Sequence, residues 1–350
     1  MNFASDNWAG AHPRIVESLA VHASGFAPAY GTSDLDRKVE DRFREIFERD
    51  VSVFFVATGT AANSLSLTAA SRPGGVAFCH REAHVVEDEC GAPEYLSGGV
   101  RLHPVDGTLG KIDPDDLVAK MAHFDPEFVH SGQPAAVSIT QSTEIGTVYS
   151  LDAIGKIGAI CGEKDLPLHM DGARFANALV SLGTTPAEMT WKRGVDLLSF
   201  GGTKNGCWCA EAIVVFDPRR ASQMPFIRKR AAQLFSKSRF IAAQFDAYFA
   251  DDLWLETARH ANAMAGQLAA RIARSAKMRL AWKPDANEVF AIMTPALAET
   301  LMAGGAEFHE WKRPASFDAG SLVADEKLWR FVTSFATTTE DIDAFAALVP

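Results

Sequence analysis

Short apolar segments alternate with longer segments of helical periodicity through the first two-thirds of the chain. Seven of the short runs are rich in β-branched residues and are bounded by Gly, Pro or Asp, as buried strands usually are. They cover residues 51–56, 75–80, 100–105, 136–140, 166–170, 197–200 and 212–216. The intervening segments, such as 34–50, repeat apolar residues at helical spacing. This alternation predicts an α/β fold with a mostly parallel seven-stranded sheet and helices on both faces.

The pattern changes after about residue 220. A long helical stretch, interrupted near Asp251, runs to about residue 276, and strand and helix signals then alternate to the end of the chain. The first helix is expected to start at Pro13 and to end before Gly25, because proline favours a first helical position and glycine commonly follows a last one. We therefore predict an N-terminal arm and helix over 1–30, a large domain over 31–250 and a smaller C-terminal α/β domain over 251–350.

The charge balance narrows the classes of function. The 34 Lys and Arg residues against 44 Asp and Glu residues leave a net charge of −10, which argues against nucleic-acid binding and favours a small-molecule substrate. No segment approaches the ~20 apolar residues of a membrane span, and the polar N-terminus does not resemble a signal peptide. Five cysteines, an odd number, suit the cytoplasm. Cys207 and Cys209 lack a second Cys or His pair at ligand spacing, so no bound metal is expected.

Residues 56–63 carry a turn that suits a phosphate group. A buried strand ends at Val56, a Thr58-Gly59-Thr60 turn follows, and a helix begins. The first N–H groups of a helix are unpaired and lie at its positive end, so they bind phosphate without a side-chain cation. An ordinary helix capped by threonine is the alternative.

A carboxylate and a cation follow another strand, in the segment 168–174. Asp171 stands at the carboxyl end of this strand, where open α/β sheets place functional groups. A carboxylate there can pair with a protonated pyridine nitrogen and keep the ring an electron sink. The alternative is a buried structural pair between Asp171 and Arg174.

A lysine follows a third strand. Lys204 lies in a loop with Gly201, Gly202 and Gly206 around it, and such glycines leave the ammonium group free to reach a ligand, as a Schiff-base lysine requires. A surface-loop lysine is the alternative. The phosphate turn, the strand-end Asp and the strand-end Lys nevertheless occur in the order that one large family of pyridoxal enzymes uses. Together they indicate bound pyridoxal 5'-phosphate.

Two histidines are candidates for proton transfer. His84 follows the strand 75–80 by a few residues, so it is expected at the same sheet edge as Thr60 and Asp171. An imidazole there can stack on a pyridine ring or move a proton, and a structural histidine is the alternative. His130 precedes the strand 136–140 and enters at the opposite end of that strand in the simplest layout.

The chain resembles the low-specificity L-threonine aldolases of the β-eliminating-lyase group, including members that act on L-phenylserine. The similarity covers nearly the whole chain, and its most specific parts are 168–174 and 199–206. The other matching segments are 3–7, 29–31, 58–63, 83–84, 88–94 and 138–144. At 141–144 the chain differs from the shorter members, which carry a histidine there.

This resemblance implies a fold-type-I pyridoxal-phosphate enzyme, usually a homodimer or homotetramer with its sites at the subunit interface. In that family the residue that matches Lys204 forms the Schiff base with the cofactor. Those that match Gly59 and Thr60 hold the phosphate. The match to His84 stacks on the ring, and the match to Asp171 pairs with the pyridine nitrogen.

The resemblance also implies a substrate-binding set. The matches to Ser5, Arg174 and Arg330 bind the substrate carboxylate, and Arg174 is expected beside the cofactor as well. The match to His130 touches the substrate hydroxyl. Two further cations are expected to approach the phosphate from a neighbouring subunit, Lys229 and Arg239.

The implied reaction is cleavage of the Cα–Cβ bond of L-threonine, L-allo-threonine or a related β-hydroxy-α-amino acid to glycine and an aldehyde. The base for the β-hydroxyl proton is left open between His84, His130 and a water held between them. The alternatives are another reaction of the same fold, namely β-elimination, transamination or racemisation, and a sensor that kept the cofactor fold. The sequence leaves the threo or erythro preference and the choice between dimer and tetramer open.

Overall fold

The structure is a computed structural model, and it describes residues 1–318, 320, 322–323 and 325–349. The predicted third domain, 251–350, includes the four residues outside this set. The helices are α1 (Pro13–Val21), α2 (Asp34–Ile46), α3 (Gly59–Ala70), α4 (His84–Glu87), α5 (Ala92–Leu96), α6 (Pro114–Met121), α7 (Leu151–Glu163), α8 (Phe175–Leu182), α9 (Pro186–Met189), α10 (Pro218–Ala221), α11 (Met224–Arg230), α12 (Arg239–Phe249), α13 (Leu253–Ile272), α14 (Pro295–Ala303) and α15 (Thr339–Leu348). Among the helices of the described residues, none combines the length and the apolar character needed to cross a membrane.

The strands form two sheets. They are β1 (Ser52–Val56), β2 (Gly75–His80), β3 (Arg101–Val105), β4 (Gln133–Thr140), β5 (Leu168–Gly172), β6 (Val195–Gly201), β7 (Glu211–Val215), β8 (Arg279–Leu280), β9 (Glu288–Met293), β10 (His309–Trp311) and β11 (Lys327–Val332). The large sheet has seven strands in the order β1-β7-β6-β5-β4-β2-β3. Its strands β2 to β6 pair in parallel, whereas β7 is antiparallel to β1 and β6. The predicted mostly parallel seven-stranded sheet is confirmed.

One strand boundary matters for the site. β5 continues to Gly172, two residues beyond the predicted run, because Asp171 still pairs with Thr140 on β4 and with Ser199 on β6. The Asp171 backbone is therefore held by a strand on each side. Its side chain therefore projects from the carboxyl end of a paired strand and not from a flexible turn.

Aromatic side chains anchor β6, the strand that leads to Lys204. Phe43 of α2 packs edge-to-face on Phe200 of β6, with ring centroids 5.3 Å apart, and on Phe245 and Phe249 of α12 at 5.4 and 5.0 Å. All four rings are buried. Burial of each such ring contributes about 1.5–3 kcal/mol, and each edge-to-face pair adds about 0.5–1.5 kcal/mol. Movement of β6 would disrupt this cluster.

The second sheet has four antiparallel strands in the order β10-β11-β9-β8. Its core joins Val289 of β9 and Phe331 of β11 to Ile342 of α15. The predicted α/β character of the C-terminal part is confirmed. The first strand of this part, β8, is short and pairs with β9 only through Arg279 and Leu280. The domain boundaries after residues 30 and 250 stay predictions.

The N-terminal arm, residues 1–12, connects the two sheets. Phe3 N donates to Glu307 O at 2.8 Å beside the second sheet, and His12 N donates to Gly206 O at 2.8 Å beside the end of β6. The Phe3 ring is fully buried. Because both ends of the arm are fixed, Asp6 is held between the sheets.

Candidate active site

Strand ends of the large sheet open onto one cavity of about 300 Å³. The carboxyl ends of parallel strands lie at the same edge of a sheet, where open α/β folds bind ligands. The cavity is lined by Asn7, Ala57, Thr58, Gly59, Thr60, Asn63, His84, Asp171, Ala173, Thr203, Lys204 and Glu211. Five of the predicted residues are therefore brought together: Gly59, Thr60, His84, Asp171 and Lys204.

A larger cleft of about 900 Å³ lies near the amino ends of β4 and β5. Its charged residues are Arg72, Asp125, Lys164, Asp165 and Arg220. None of the described residues that line it is a histidine, a cysteine or a buried carboxylate. The smaller cavity at the carboxyl ends is therefore the candidate active site.

The start of α3 forms one end of this cavity. Thr58 Oγ1 accepts from Ala61 N at 3.1 Å and caps the helix, so the threonine cap considered from the sequence is present. The N–H groups of Gly59 and Thr60 still have no acceptor among the described residues. A Cβ built on Gly59 would meet no atom within 4 Å. The helix start thus offers two free donors and open space to an anion.

Asp171 is a buried carboxylate without a cation. Its Oδ1 accepts from Ala173 N at 3.0 Å, and its Oδ2 accepts from Asn63 Nδ2 at 2.9 Å. No Lys, Arg or His side chain of the described residues forms an ion pair with it. Burial, aided by Glu144, raises the pKa of Asp171. A positively charged ligand group beside it would offset that effect.

Lys204 lies in a short turn, Thr203–Asn205, directly after β6. Its Nζ forms no hydrogen bond or ion pair with the residues that the structure describes. Asn205 Nδ2 anchors the turn by donating to Tyr248 Oη at 2.7 Å and to Trp254 O at 2.8 Å. A Cβ on Gly202 would lie 2.7 Å from a backbone oxygen, so only glycine lets the chain pass there. The turn is rigid, but the lysine amine is free.

His84 begins α4 and is joined to a buried carboxylate that sequence reasoning missed. Its Nδ1 lies 2.8 Å from Glu89 Oε1, which also accepts from Asn63 Nδ2 at 2.8 Å. The hydrogen bond that His84 donates to Glu89 raises the pKa of His84, while burial raises the pKa of Glu89. We assign the ring proton to Nδ1, because the carboxylate accepts there, and this leaves Nε2 as the free nitrogen. Asn63 thereby links His84 to Asp171.

Replacing Glu89 with glutamine is expected to lower the pKa of His84, because the amide can still accept the hydrogen bond but carries no charge. The free base at Nε2 exists above that pKa, so the acid limb of the pH profile of kcat/KM should move to lower pH. Glu87→Gln is the matched control, since Glu87 lies on α4 with His84 but pairs with Lys312. An acid limb unchanged in Glu89→Gln would contradict the coupling.

Glu211 is a second missed carboxylate. It is the first residue of β7, and its Oε1 accepts from Thr203 N at 3.3 Å. Burial raises the pKa of Glu211 to about 7. A single acidic residue at the start of an otherwise apolar strand was the only sequence signal. Glu211 lies opposite Val56 in the sheet, at the α3 end of the cavity.

Arg174 precedes α8 and is buried. Its Nε and Nη2 donate to Asp6 Oδ2 and Oδ1 at 2.7 and 3.1 Å, and its Nη1 lies 3.4 Å from Glu288 Oε2. Burial opposes the charge of the guanidinium, but Asp6 and Glu288 outweigh it and raise the pKa of Arg174. The alternative of an Asp171–Arg174 pair is wrong, because the partners of Arg174 lie on the arm and on β9.

Ser5 and Arg330 lie close to the partners of Arg174: Ser5 directly precedes Asp6, and Arg330 lies beside Glu288. Ser5 Oγ accepts from Asn7 N at 3.1 Å and caps the turn 6–8, and Asn7 lines the cavity. The Arg330 guanidinium lies over the Trp311 ring, 3.9 Å from its centroid, with Nη1 3.7 Å from Glu288 Oε1. Ser5, Arg174 and Arg330 are not among the described residues that line the cavity, but Asn7, which Ser5 bonds, and Ala173, which precedes Arg174, do line it.

Three predicted residues lie away from the cavity in the single chain. His130 is exposed in the loop before β4, at the opposite end of that strand, as its position predicted. The contact with the substrate that the resemblance implied for it is not met within one chain. Lys229 Nζ lies 5.8 Å from the Tyr30 ring centroid, and Arg239 Nη1 donates to Gly25 O at 3.0 Å. Their roles toward a neighbouring subunit stay predictions.

Comparison with known proteins gives the geometry a family context. The model of the family described as Beta-eliminating lyase matches residues 2–296. The low specificity L-threonine aldolase of Pseudomonas aeruginosa is 42% identical over 307 residues, which are 88% of each chain. The solved threonine aldolase of Leishmania major covers 99% of this chain and 98% of its own, with a TM-score of 0.91 and 26% identity. The alanine racemase TOXG of Cochliobolus carbonum is 31% identical over 193 residues, 54% of this chain and 48% of that protein.

Proposed function

The chain belongs to the beta-eliminating lyase family, and from this we propose that it cleaves the Cα–Cβ bond of L-threonine, L-allo-threonine or a related β-hydroxy-α-amino acid to glycine and an aldehyde. It is a pyridoxal-phosphate-dependent lyase. One observation carries the proposal: Lys204, Asp171 and the free N–H groups at the start of α3 surround one cavity. The 42% sequence identity to the aldolase of Pseudomonas aeruginosa supports the choice of substrate.

The residues of the cavity fit the cofactor at three points. The unpaired N–H groups of Gly59 and Thr60 suit its phosphate, and the buried Asp171 suits a protonated pyridine nitrogen. The unpaired Nζ of Lys204 supplies the amine for a Schiff base. When bound, the cofactor supplies an electron sink for the pair released at Cα.

Asp171 keeps the proton on the pyridine nitrogen in this proposal, because a buried carboxylate stabilises a cation beside it. The bonds from Ala173 N and Asn63 Nδ2 orient both of its oxygens beforehand. Lys204 would hold the cofactor through its amine, and the same amine, when free, would carry a proton to Cα of the substrate.

The α-carboxylate of the substrate would bind to Arg330, whose Nε has no hydrogen-bond partner among the described residues. Arg174 contributes positive charge, but two of its nitrogens are committed to Asp6. The Ser5 hydroxyl is the neutral member of the set. A fixed carboxylate would orient the substrate and so select which bond at Cα is cleaved.

The β-hydroxyl proton goes to His84 in this proposal. The hydrogen bond to Glu89 holds the ring and leaves Nε2 to accept the proton. General-base assistance of this kind contributes about 10²–10⁴-fold. His130 takes part only where a neighbouring subunit brings it to the cavity.

A substrate panel tests the proposed function. The holoenzyme is incubated with L-threonine, L-allo-threonine and L-phenylserine, and the aldehyde and glycine are measured. Equal amounts of the two products are expected from at least one substrate. β-Elimination would release a 2-oxo acid and ammonia, and transamination would require a keto-acid acceptor. Absence of aldehyde from all three would overturn the proposal.

Racemisation is the second candidate, because a relative over about half of the chain carries the name alanine racemase. The test is conversion of L-alanine to D-alanine by the same holoenzyme. We expect aldehyde release from L-threonine to exceed it. The reverse order would favour racemisation.

Replacing Arg330 with methionine is expected to raise the KM for L-threonine by about 10- to 100-fold, because hydrogen bonds to charged groups are worth about 1.5–3 kcal/mol. The value of kcat should change less, since the carboxylate is bound equally in the ground state and the transition state. Steady-state kinetics measures both. Arg313→Met, at an exposed position of the neighbouring segment, is the control. A KM within twofold of the wild-type value would exclude Arg330 from carboxylate binding.

We also propose a homodimer or homotetramer in the cytoplasm. Phe26, Trp208 and Phe226 are 110, 66 and 60% exposed, and large exposed apolar side chains are typical of interfaces. All five cysteines are free, as expected in a reducing compartment. Sedimentation at the mass of one 37.8 kDa chain would contradict the oligomer, and recovery outside the cytoplasmic fraction would contradict the location.

A further inference from the structure

A buried glutamate lies between the two arginines of the carboxylate-binding set. Glu288, the first residue of β9, is fully buried. Its Oε2 lies 3.4 Å from Arg174 Nη1, and its Oε1 lies 3.7 Å from Arg330 Nη1. Neither oxygen has a hydrogen-bond partner among the described residues. The protein therefore places its own carboxyl group between the cations that are proposed to serve the substrate.

The surroundings hold Glu288 in that position. The preceding Asn287 donates through Nδ2 to Asp6 Oδ2 at 3.1 Å and to Thr333 O at 2.8 Å, which fixes the start of β9. Gly146 packs on the other side with φ +72°, and a Cβ there would lie 2.9 Å from the Glu288 Cβ. These contacts fix the backbone and the Cβ atom from which the carboxyl group of Glu288 projects.

Three carboxyl groups, Glu288 among them, share this space with two guanidinium groups. The charged groups that face Glu288 are Arg174 beside α8, Arg330 on β11, Asp6 on the arm and Glu144 in the loop after β4. Burial, aided by Glu144 and Asp6, outweighs the two arginines and raises the pKa of Glu288 to about 7. A substrate carboxylate would add a fourth anion to two guanidinium groups. An unpaired buried charge is costly.

We propose that Glu288 is a built-in counter-ion for Arg174 and Arg330, and that it takes up one proton from solvent when an α-carboxylate binds there. The inference rests on the proposed function, because it takes the two arginines as the site of the substrate carboxylate. Glu288 is a positioning residue: before the substrate arrives, it pairs with both guanidinium groups and keeps them separated from each other. Once neutral, it no longer competes with the substrate.

The sign of the pH effect follows from this coupling. The complex binds more protons than the free enzyme, so affinity for a carboxylate ligand rises as pH falls. Below pH 7 Glu288 is already protonated in the free enzyme, and the affinity levels off. Above pH 7 the dissociation constant should rise by up to about tenfold per pH unit.

The first test needs no variant. Titration calorimetry of the holoenzyme uses 3-hydroxybutyrate, which has the carboxylate and the hydroxyl of threonine but no amine to form an imine. Runs in buffers of different ionisation enthalpy count the protons taken up. We expect about 0.5–1 proton per site at pH 8 and close to none at pH 5.5. Binding without proton uptake at pH 8 would overturn the inference.

The second test assigns the proton. Glu288→Gln should abolish the uptake and make the dissociation constant of 3-hydroxybutyrate nearly independent of pH. Asp196→Asn is the matched control, because burial also raises the pKa of Asp196 but its Oδ2 accepts from Leu168 N, away from the cavity at the opposite end of β5. It should keep the wild-type uptake. Wild-type uptake in Glu288→Gln would overturn the inference.

The two proposals fail differently. Aldehyde release from L-threonine with no proton uptake on 3-hydroxybutyrate binding leaves the proposed function standing and removes the role of Glu288. Absence of both aldehyde release and 3-hydroxybutyrate binding overturns the proposed function, and the inference falls with it.

Discussion

Replacing Lys204 with alanine is expected to lower kcat for aldehyde release from L-threonine by at least about 10³-fold, because covalent catalysis is lost with its nucleophile. The Nζ of Lys204 is the amine at the cavity that no described residue engages. Alanine removes it without changing the Asn205 anchors of the turn. Kinetics measures the rate, and the long-wavelength absorbance of a pyridoxal imine reports the covalent bond.

Both the rate and the imine absorbance must be measured. Lys156→Ala, on the exposed face of α7, is the control and should keep the rate and the absorbance. In Lys204→Ala the imine absorbance should disappear while the melting temperature stays close to that of the wild type. A variant that kept the absorbance and its loss on borohydride treatment would show that another lysine forms the imine.

Replacing Asp171 with asparagine is expected to lower kcat by about 10²–10³-fold. Removing one partner of a buried charge pair costs about 3–5 kcal/mol, and each 1.36 kcal/mol is tenfold in rate. The pyridine nitrogen would lose its proton, and the ring would become a weaker electron sink. Asparagine keeps the size of the side chain and can still accept from Ala173 N. Steady-state kinetics and a cofactor titration measure the two effects.

Asp196→Asn is the matched control for Asp171→Asn. Asp196 lies on β6 in the same sheet, and burial also raises its pKa, but its Oδ2 accepts from Leu168 N at the opposite end of β5. Its replacement should lower stability and leave the cofactor affinity unchanged. A normal kcat in Asp171→Asn would exclude the proposed pairing with the pyridine nitrogen.

The strands of the large sheet could be predicted because their signals are local. A strand buried on both faces must be apolar along its length, and each of the seven runs falls on an observed strand. The residues at which these strands end were less predictable. β5 extends through the polar Asp171 because pairing with β4 and β6 continues there, and no pattern within β5 itself reports its neighbours.

The residues of the candidate site also divide into those that the sequence revealed and those that it did not. Gly59, Asp171 and Lys204 could be found because each lies at or just after the carboxyl end of a strand, and parallel strands bring their carboxyl ends to one edge. Glu89, Glu211 and Glu288 were missed. Glu89 follows two other acidic residues and Glu211 starts an apolar strand, so neither stands out in the sequence. The two arginines beside Glu288 come from distant segments, and the sequence carries no record of that pairing.

The sequence by itself determined the α/β architecture, the strand-end motifs and the lysine in its glycine-rich turn, because apolar periodicity and turn chemistry act over a few residues. Only the tertiary structure decided which charges share a buried space. It paired Arg174 with Asp6 and not with Asp171, joined His84 to Glu89, and set Glu288 between two arginines. Electrostatic free energies depend on distance and burial, and both are set only when distant segments pack together.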